Sequence, residues 1–268
     1  PLHGQMGKDD TDKRYRRAID DFDHAISAAT DVSQAAAGRT VPDPAWWACL
    51  LYTRLCVAGV SLLALAPGSR FAGSLIDHYD FSAVASMTRN IWECYFVFFY
   101  LGVDATEGDE WVTRLNVLQL HDCLSRWKMF HELNAADPQL PGFLVQADEL
   151  RIRIASRAHF AKFPERRRKH VLKGENAMLL SQDELLQRMG ENVAVFRGVY
   201  RFLSFHVHSL PVAFYRMAER EQGRGIESEW GKSNIAMTLE FALDPVRRAT
   251  REMGYLFPDI SAGRTGNP

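Results

Sequence analysis

The stretch Thr88–Leu101, which reads TRNIWECYFVFFYL, decides the fold class. Ten of its 14 positions are apolar or aromatic, and polar residues do not alternate with apolar ones at the period of two that marks a half-buried strand. A helix that is apolar nearly all round is normally buried. We therefore predict a buried helix from Phe81 to Leu101, which carries the ionisable residues Arg89 and Glu93 in its middle.

The flanking segments show the same helical character. Apolar residues recur at steps of three and four between residues 8 and 37, as one face of a helix requires. Asp43 precedes a proline and is expected to be the N-cap of a second helix. Ser181 and Glu184 have the spacing of a capping box, in which each side chain satisfies a backbone donor at a helix start. Helices are predicted at about 8–37, 43–65, 81–101, 107–133, 147–160, 181–208, 211–221 and from 233 onward.

These elements predict an all-α protein, a single bundle of about seven or eight helices in which residues 1–268 form one domain. The basic stretch at 162–176 is expected to be a loop or a frayed helix. Pro245 is expected to kink or divide the last helix, because proline lacks the backbone donor. Residues 1–7 are expected to be disordered or derived from the expression vector, and residues 258–268 to form a disordered tail.

The composition limits the classes of function. Of the 268 residues, 47% are apolar and the net charge is -1, so the chain lacks the positive field that binds nucleic acid non-specifically. Any RNA contact then requires a local patch. The four cysteines form no Cys-x-x-Cys pair, which predicts reduced core residues in a cytoplasmic protein. The longest uncharged apolar run, at 55–67, is too short to cross a bilayer, and no membrane partner is expected.

Two polar stripes lie on otherwise apolar helices. An ideal helix turns by about 100° per residue, and on this basis each stripe occupies one narrow arc of its helix. An unpaired buried charge is costly, so we predict that Arg89 and Glu93 face the second stripe across a helix contact. The first stripe comprises Ser82, Arg89, Glu93 and Tyr100, and the second comprises Arg197, Tyr200, Arg201, Ser204 and His208.

Two histidines lie close together in the second of these helices. His206 falls on the apolar side, which is typical of a core histidine, with a direct chemical role as the alternative. His208 shares a face with Arg201 near the predicted end of the helix, where the helix dipole favours a protonated imidazole. Proton transfer near neutral pH is therefore expected from His208.

The motifs of these two stripes resemble those of a family of uncharacterised bacterial all-helical proteins. The matching pattern is Arg-x-x-x-Glu in an apolar helix, followed about a hundred residues later by Tyr-x-x-x-Ser-x-x-x-His. The resemblance covers roughly residues 80–210 and implies no established activity.

A looser resemblance is to the HEPN superfamily of helical bundles. Its active members cleave RNA without a metal, using an arginine four to six residues before a histidine, and they often form dimers. Both Arg201-x4-His206 and Arg201-x6-His208 fit this spacing. This chain has Phe202 directly after the arginine, where family members usually have a polar residue.

The HEPN resemblance implies a homodimeric ribonuclease or toxin-type protein that needs no cofactor. His208 would act as acid or base, Arg201 would stabilise the charged phosphate, and His206 is the other candidate histidine. Side chains of the two stripes would orient or support this pair. The supporting residues are Arg89, Glu93, Arg197, Tyr200 and Ser204, and the basic residues Arg166, Arg167, Arg168 and Lys169 would contact RNA phosphates.

A non-catalytic function is equally open. In that case the two stripes form a buried polar network that specifies packing or binds a small polar ligand. Metal chemistry is not favoured by the pattern of residues. No glutamate is followed by histidine three residues later, as di-iron bundles require, and His121-Asp122 has only His78 and Asp80 as loosely suggestive partners. We therefore predict no metal site.

Overall fold

A computed structural model describes residues 8–73, 76–104, 107–133, 139–220 and 224–262. The model is 77% helical, and the described residues contain twelve helices and no strand, which confirms the all-α class and the helical bundle. The helices are α1 (Lys8–Ala36), α2 (Asp43–Ala64), α3 (Phe81–Gly102), α4 (Gly108–Glu132), α5 (Leu140–Ala155), α6 (Ala158–Ala161), α7 (Glu165–Val171), α8 (Gln182–Arg188), α9 (Val193–Val207), α10 (Pro211–Arg220), α11 (Glu229–Leu256) and α12 (Pro258–Ala262). All of them except α6 and α12 have seven residues or more.

The first four helices lie where the sequence predicts them, to within two residues. The predicted N-cap of α2 is wrong, because Pro42 occupies that position and Asp43 lies in the first turn. By length and composition, α2 is long and apolar enough to cross a membrane, although 44% of its most apolar 18-residue window is buried. Core helices of soluble proteins meet the same criterion.

The second half of the chain is divided more finely than predicted. The helix expected at 147–160 begins earlier, at Leu140, and is split into α5 and α6. The basic stretch contains a short helix, α7. The helix expected at 181–208 is two helices, α8 and α9. They are separated at Gly190, which has a φ of +75°, and α9 is capped by the side chain of Asn192.

The last long helix, α11, begins at Glu229 instead of near Ser233 and continues through Pro245. The Ser228 side chain accepts a hydrogen bond from the backbone N–H of Gly231 and caps the start of the helix. The disordered tail predicted at 258–268 is corrected in part, because Pro258–Ala262 forms α12. Residues 1–7 and 263–268 lie outside the described part of the chain.

The described residues form two compact units, and the prediction of one domain remains a prediction. Unit 1 comprises residues of 1–99 and 191–268, and unit 2 comprises residues of 100–190. In unit 1, α1 packs against both α2 and α11. Gly59 permits the close approach of α1 and α2, because a Cβ there would lie 2.0 Å from Cδ1 of Ile26.

Unit 2 has its own apolar core and a buried charge network. The core joins α4 and α5 through residues such as Val117, Leu120 and Ile154. Arg114 is 1% exposed; it donates to the Tyr100 carbonyl at 2.8 Å and to Asp104 at 2.6 Å, and it also pairs with Glu110. This network was not predicted, although the i,i+4 spacing of Glu110 and Arg114 is a signal for it in the sequence.

Candidate functional site

Arg89 and Glu93 of the first stripe meet Tyr200 and His208 of the second stripe in unit 1, as predicted. Nη2 of Arg89 donates to the Tyr200 hydroxyl at 3.0 Å, and that hydroxyl donates to Oε1 of Glu93. Nη1 of Arg89 lies 3.4 Å from Nε2 of His208. We refer to Arg89, Glu93, Tyr200 and His208 as the α3–α9 polar cluster.

Aromatic packing one turn away positions this cluster. The indole ring of Trp92 on α3 contacts Phe196 on α9, with ring centroids 4.8 Å apart and an edge-on geometry. Phe196 stacks on Tyr200, one turn further along α9, at 5.4 Å. Trp92 is 1% exposed, so this contact lies in the core. The apolar anchor thus fixes where α9 crosses α3 and places Tyr200 beside Arg89.

The tyrosine hydroxyl separates the two charged members of α3. Arg89 and Glu93 make no direct ion pair, although their i,i+4 spacing permits one, because Tyr200 bonds to both. The guanidinium carbon of Arg89 lies 4.6 Å from the centre of the Tyr200 ring, within cation–π range. Burial, and then the hydrogen bond to Glu93, raises the pKa of Tyr200 to about 12. Tyr200 therefore stays protonated and remains a donor at neutral pH.

His208 supplies the imidazole of the cluster, and its side chain is exposed, as is that of Glu93. It is the C-cap of α9, and its backbone N–H donates to the Ser204 carbonyl at 3.1 Å. The next residue, Ser209, has a φ of +47° and turns the chain away from the helix axis. The imidazole is thus open to solvent on one side and close to a held arginine on the other.

Arg201 lies on the same face of α9 but is not in the cluster. Arg201 is seven positions before His208, which corresponds to a difference of about 20° around the helix and a rise of about 10 Å along it. Its side chain is exposed and makes no hydrogen bond or ion pair with the described part of the chain. Arg197 is also exposed, and the Ser204 hydroxyl donates to the Tyr200 carbonyl at 2.7 Å within α9.

His206 points away from the cluster into an aromatic core. It is 7% exposed and lies edge-on to Phe81 at 4.7 Å, with Phe202 at 5.0 Å and Trp230 at 5.9 Å between ring centroids. Burial lowers the pKa of this imidazole. The structure therefore does not bring His206 to the polar cluster, and the Arg201-x4-His206 spacing joins residues on different sides of the helix.

Two further members of the first stripe are not brought to the cluster. Ser82 is exposed on α3 and hydrogen bonds through its carbonyl to Ser86. Tyr100 belongs to unit 2, where its buried hydroxyl accepts a hydrogen bond from the Leu179 backbone N–H at 3.0 Å. Its ring lies 4.6 Å from the guanidinium carbon of Arg114.

The basic run on α7 in unit 2 is partly used within the fold. Arg167 forms a bidentate ion pair with Glu184 at 2.9 and 2.8 Å and also donates to the Leu179 carbonyl. Lys169 pairs with Glu165 at 2.6 Å. Nε of Arg168 is buried with no hydrogen-bond partner among the described residues. Arg166 is exposed, so it is the member of this run best placed for a phosphate contact.

The sequence assigned the cation beside the histidine to Arg201, whereas the structure places Arg89 there. Helical spacing relates residues within one helix, and it gives no distance between α3 and α9. In the described ranges, no three His, Cys, Asp or Glu side chains are grouped as a metal site requires. The use of no metal stays a prediction.

The fold and the cluster together define the class, an all-α protein with an Arg, Tyr, Glu and His cluster between two helices. Residues 46–226 match the model of a family of unknown function, DUF5677, and this match covers more than half of the chain. The chain therefore belongs to this family, and the matched region includes all four cluster residues. No curated protein and no solved structure matches the chain, and no finding links it to HEPN proteins.

Proposed function

We propose that this protein is a HEPN-like, metal-independent ribonuclease that acts through His208. The observation that carries the proposal is the exposed imidazole 3.4 Å from a guanidinium that is itself held by Tyr200. A solvent-facing acid–base group beside a fixed cation is the pairing that phosphodiester cleavage uses. Arg201, exposed on the same face and without an ion pair, supports the proposal as a second phosphate-binding cation.

The reaction would proceed without a cofactor. Neutral His208 takes the proton of a ribose 2′-hydroxyl, and the 2′ oxygen attacks the adjacent phosphorus. The bond from phosphorus to the 5′ oxygen breaks, and that oxygen takes a proton from water. The hydroxide that remains takes the proton held by His208, which returns the imidazole to its neutral form. Arg89 and Arg201 stabilise the charge that develops on the phosphate oxygens. The products carry a 2′,3′-cyclic phosphate and a 5′-hydroxyl, and the partner of this protein would be RNA.

A non-catalytic function is favoured by a different observation. The hydroxyl of Tyr200 bridges Arg89 and Glu93, so the cluster satisfies most of its polar groups without any ligand. Such a network would specify how α9 packs on α3, or would bind a small polar molecule at His208. In this case substitutions in the cluster would change stability and no RNA chemistry would be lost.

The test is cleavage of a mixed-sequence, end-labelled RNA in EDTA by the wild type and by His208→Ala, Arg89→Ala and Arg201→Ala. We expect cleavage to be lost in His208→Ala and strongly reduced in both arginine variants, with cyclic phosphate ends in the wild-type products. His24→Ala, at an exposed histidine on α1, is the matched control and should cleave normally. Folding of each variant is checked by circular dichroism.

Absence of cleavage by the folded wild type would overturn the proposal. If His208→Ala and Arg89→Ala were also clearly less stable than the wild type, the packing function would replace it. Cleavage that persists in His208→Ala would place the activity outside the α3–α9 polar cluster.

A further inference from the structure

Two aromatic side chains are exposed directly after the candidate site. Phe214 and Tyr215 on α10 are 46% and 59% exposed, and their rings meet edge-on with centroids 4.9 Å apart. We call these residues the α10 aromatic pair. Val212 on the same helix is 46% exposed, whereas Ala213 is buried. The described first turn of α10, up to Tyr215, thus exposes apolar and aromatic side chains where a solvated helix would present polar groups.

The backbone holds this pair near His208. After the turn at Ser209, the Leu210 N–H donates to the Phe205 carbonyl at 3.0 Å, and α10 starts at Pro211 and packs against α9. Phe214 is six residues after His208, so their Cα atoms lie no more than about 20 Å apart. A strand of a few nucleotides spans such a distance.

The cations on the helices that precede the pair suit a nucleic acid backbone. Arg201 is exposed and unpaired within the described residues, and Arg89 and His208 lie at the end of α9 that leads into α10. Cations that bind phosphates, together with aromatic rings that stack on bases, are the features by which proteins bind single strands. A chain with net charge -1 has no general attraction for nucleic acid, so this local combination is informative.

We propose that the α10 aromatic pair stacks on unpaired bases next to the phosphate held at His208, so that the site selects single-stranded over double-stranded RNA. The inference rests on the proposed function for its choice of RNA. It assigns a positioning role to Phe214 and Tyr215, because stacking on bases orients the strand and leaves the proton transfer to His208. Duplex bases are already stacked on one another and are not available to these rings.

The test measures binding and cleavage separately. Binding is measured by fluorescence anisotropy with a labelled 2′-O-methyl oligonucleotide, which lacks the attacking hydroxyl, both as a single strand and annealed to its complement. The proteins are the wild type, the double variant Phe214→Leu/Tyr215→Leu, and Trp46→Leu as a matched control at another exposed aromatic residue. We expect the double variant to raise the Kd for the single strand about tenfold or more. The wild type should bind the duplex weakly, and Trp46→Leu should bind like the wild type.

Equal binding of the single strand by wild type and double variant would overturn the inference, as would equal binding of single strand and duplex. If neither form binds, and the wild type forms a dimer that the double variant loses in sedimentation, the aromatic pair is a self-association surface and the inference is wrong.

The two proposals fail in different ways. Binding that depends on the pair, without any RNA cleavage by the wild type, would remove the ribonuclease and keep the stacking surface. Cleavage that needs His208 but is unchanged in the double variant would keep the ribonuclease and remove the stacking surface.

Discussion

At the scale of single residues, Tyr200 is the side chain on which the α3–α9 polar cluster depends. Tyr200→Phe keeps the ring over Arg89 but removes the hydroxyl that bonds to Arg89 and Glu93. Because a half-buried guanidinium then loses its partner, we expect the free energy of unfolding to fall by about 1 kcal/mol at neutral pH. Urea denaturation measures it. Tyr255→Phe, at an exposed tyrosine, is the control and should change stability little.

The same substitution carries a pH dependence. The pKa of Tyr200 is raised to about 12 in the folded protein, whereas an unfolded tyrosine ionises near about 10. Above a pH of about 10, the unfolded chain loses the Tyr200 proton while the folded protein still holds it. The free energy of unfolding therefore falls as pH rises from about 10 towards 12. The stability advantage of the wild type over Tyr200→Phe should therefore shrink between about pH 9 and about pH 11, which lie about one unit on either side of the pKa of an unfolded tyrosine. A constant difference would contradict this cause of the shift.

His206 has the opposite pH dependence. Its pKa is lowered by burial, so the unfolded chain binds this proton first as pH falls below the ordinary value of about 6.5. The wild type should lose stability in that range. In His206→Phe, which keeps a ring among Phe81, Phe202 and Trp230, this part of the loss should disappear. Denaturation at pH values on both sides of about 6.5 measures the effect.

This substitution also separates the two histidines. If the wild type cleaves RNA, folded His206→Phe should retain cleavage, since its imidazole lies outside the polar cluster. Loss of cleavage in a variant of wild-type stability would show that His206, and not His208, is the acid–base group.

At the scale of elements, α11 tolerates a proline because α3 supplies a replacement donor. Pro245 has no N–H for the carbonyl of Phe241, one turn before it, and the indole N–H of Trp92 donates to that carbonyl at 3.1 Å. Pro245→Ala would restore a backbone donor there. We expect Trp92→Phe to lower the free energy of unfolding by about 1 kcal/mol less in the Pro245→Ala background than in the wild type.

A double-mutant cycle by urea denaturation measures this coupling. Both single variants and the double variant are compared with the wild type, and the loss of indole volume cancels because it occurs in both backgrounds. Strictly additive effects would show that the hydrogen bond to Phe241 does not stabilise α11.

The start of α8 offers a test in unit 2. The Ser181 hydroxyl accepts from the Glu184 N–H at 3.3 Å, and the Glu184 carboxylate accepts from the Ser181 N–H at 2.7 Å. Ser181→Ala should lower the free energy of unfolding by about 1 kcal/mol, whereas Ser125→Ala, in the exposed middle of α4, should not. Arg167, and then the capping serine, lower the pKa of Glu184 to about 2. The stabilisation from this carboxylate is present above the unfolded value of about 4.3 and is lost as pH falls towards about 2.

Sequence signals predicted elements best where the signal is local. The capping box at Ser181 and the break before Pro211 were correct because serine, glutamate and proline act within one turn. The division between α8 and α9 was missed, since a single glycine such as Gly190 is tolerated inside a helical pattern. The sequence did not predict that α11 continues through Pro245, because Trp92, which donates to the Phe241 carbonyl in place of the missing N–H, is distant in sequence.

At the scale of the whole molecule, the candidate site is made by contact between two distant segments. Helical spacing correctly placed Arg89 and Glu93 on one face, and Tyr200 and His208 on another. It could not give the rotation of one helix against the other, which depends on the packing of Trp92 against Phe196. For that reason helical spacing predicted that Arg89 faces the second stripe but not which of its side chains Arg89 contacts, and the structure places Arg89 beside His208.

The net charge of the whole molecule limits how strongly its affinity for RNA depends on salt. With a charge of -1, the protein has only local cations for phosphate binding. If Arg89 and Arg201 each neutralise one phosphate, log K for the non-cleavable single strand should fall with log salt at a slope of about -1.4, following the value of about -0.7 per contact. A contribution from exposed Arg166 would make the slope steeper. Anisotropy titrations of wild type and Arg166→Gln over a range of KCl concentrations separate these cases. If the slope of the wild type is steeper than about -1.4 and Arg166→Gln reduces it by about 0.7, RNA also contacts α7. If the wild type and Arg166→Gln have identical slopes, RNA binding is restricted to the α3–α9 polar cluster and Arg201.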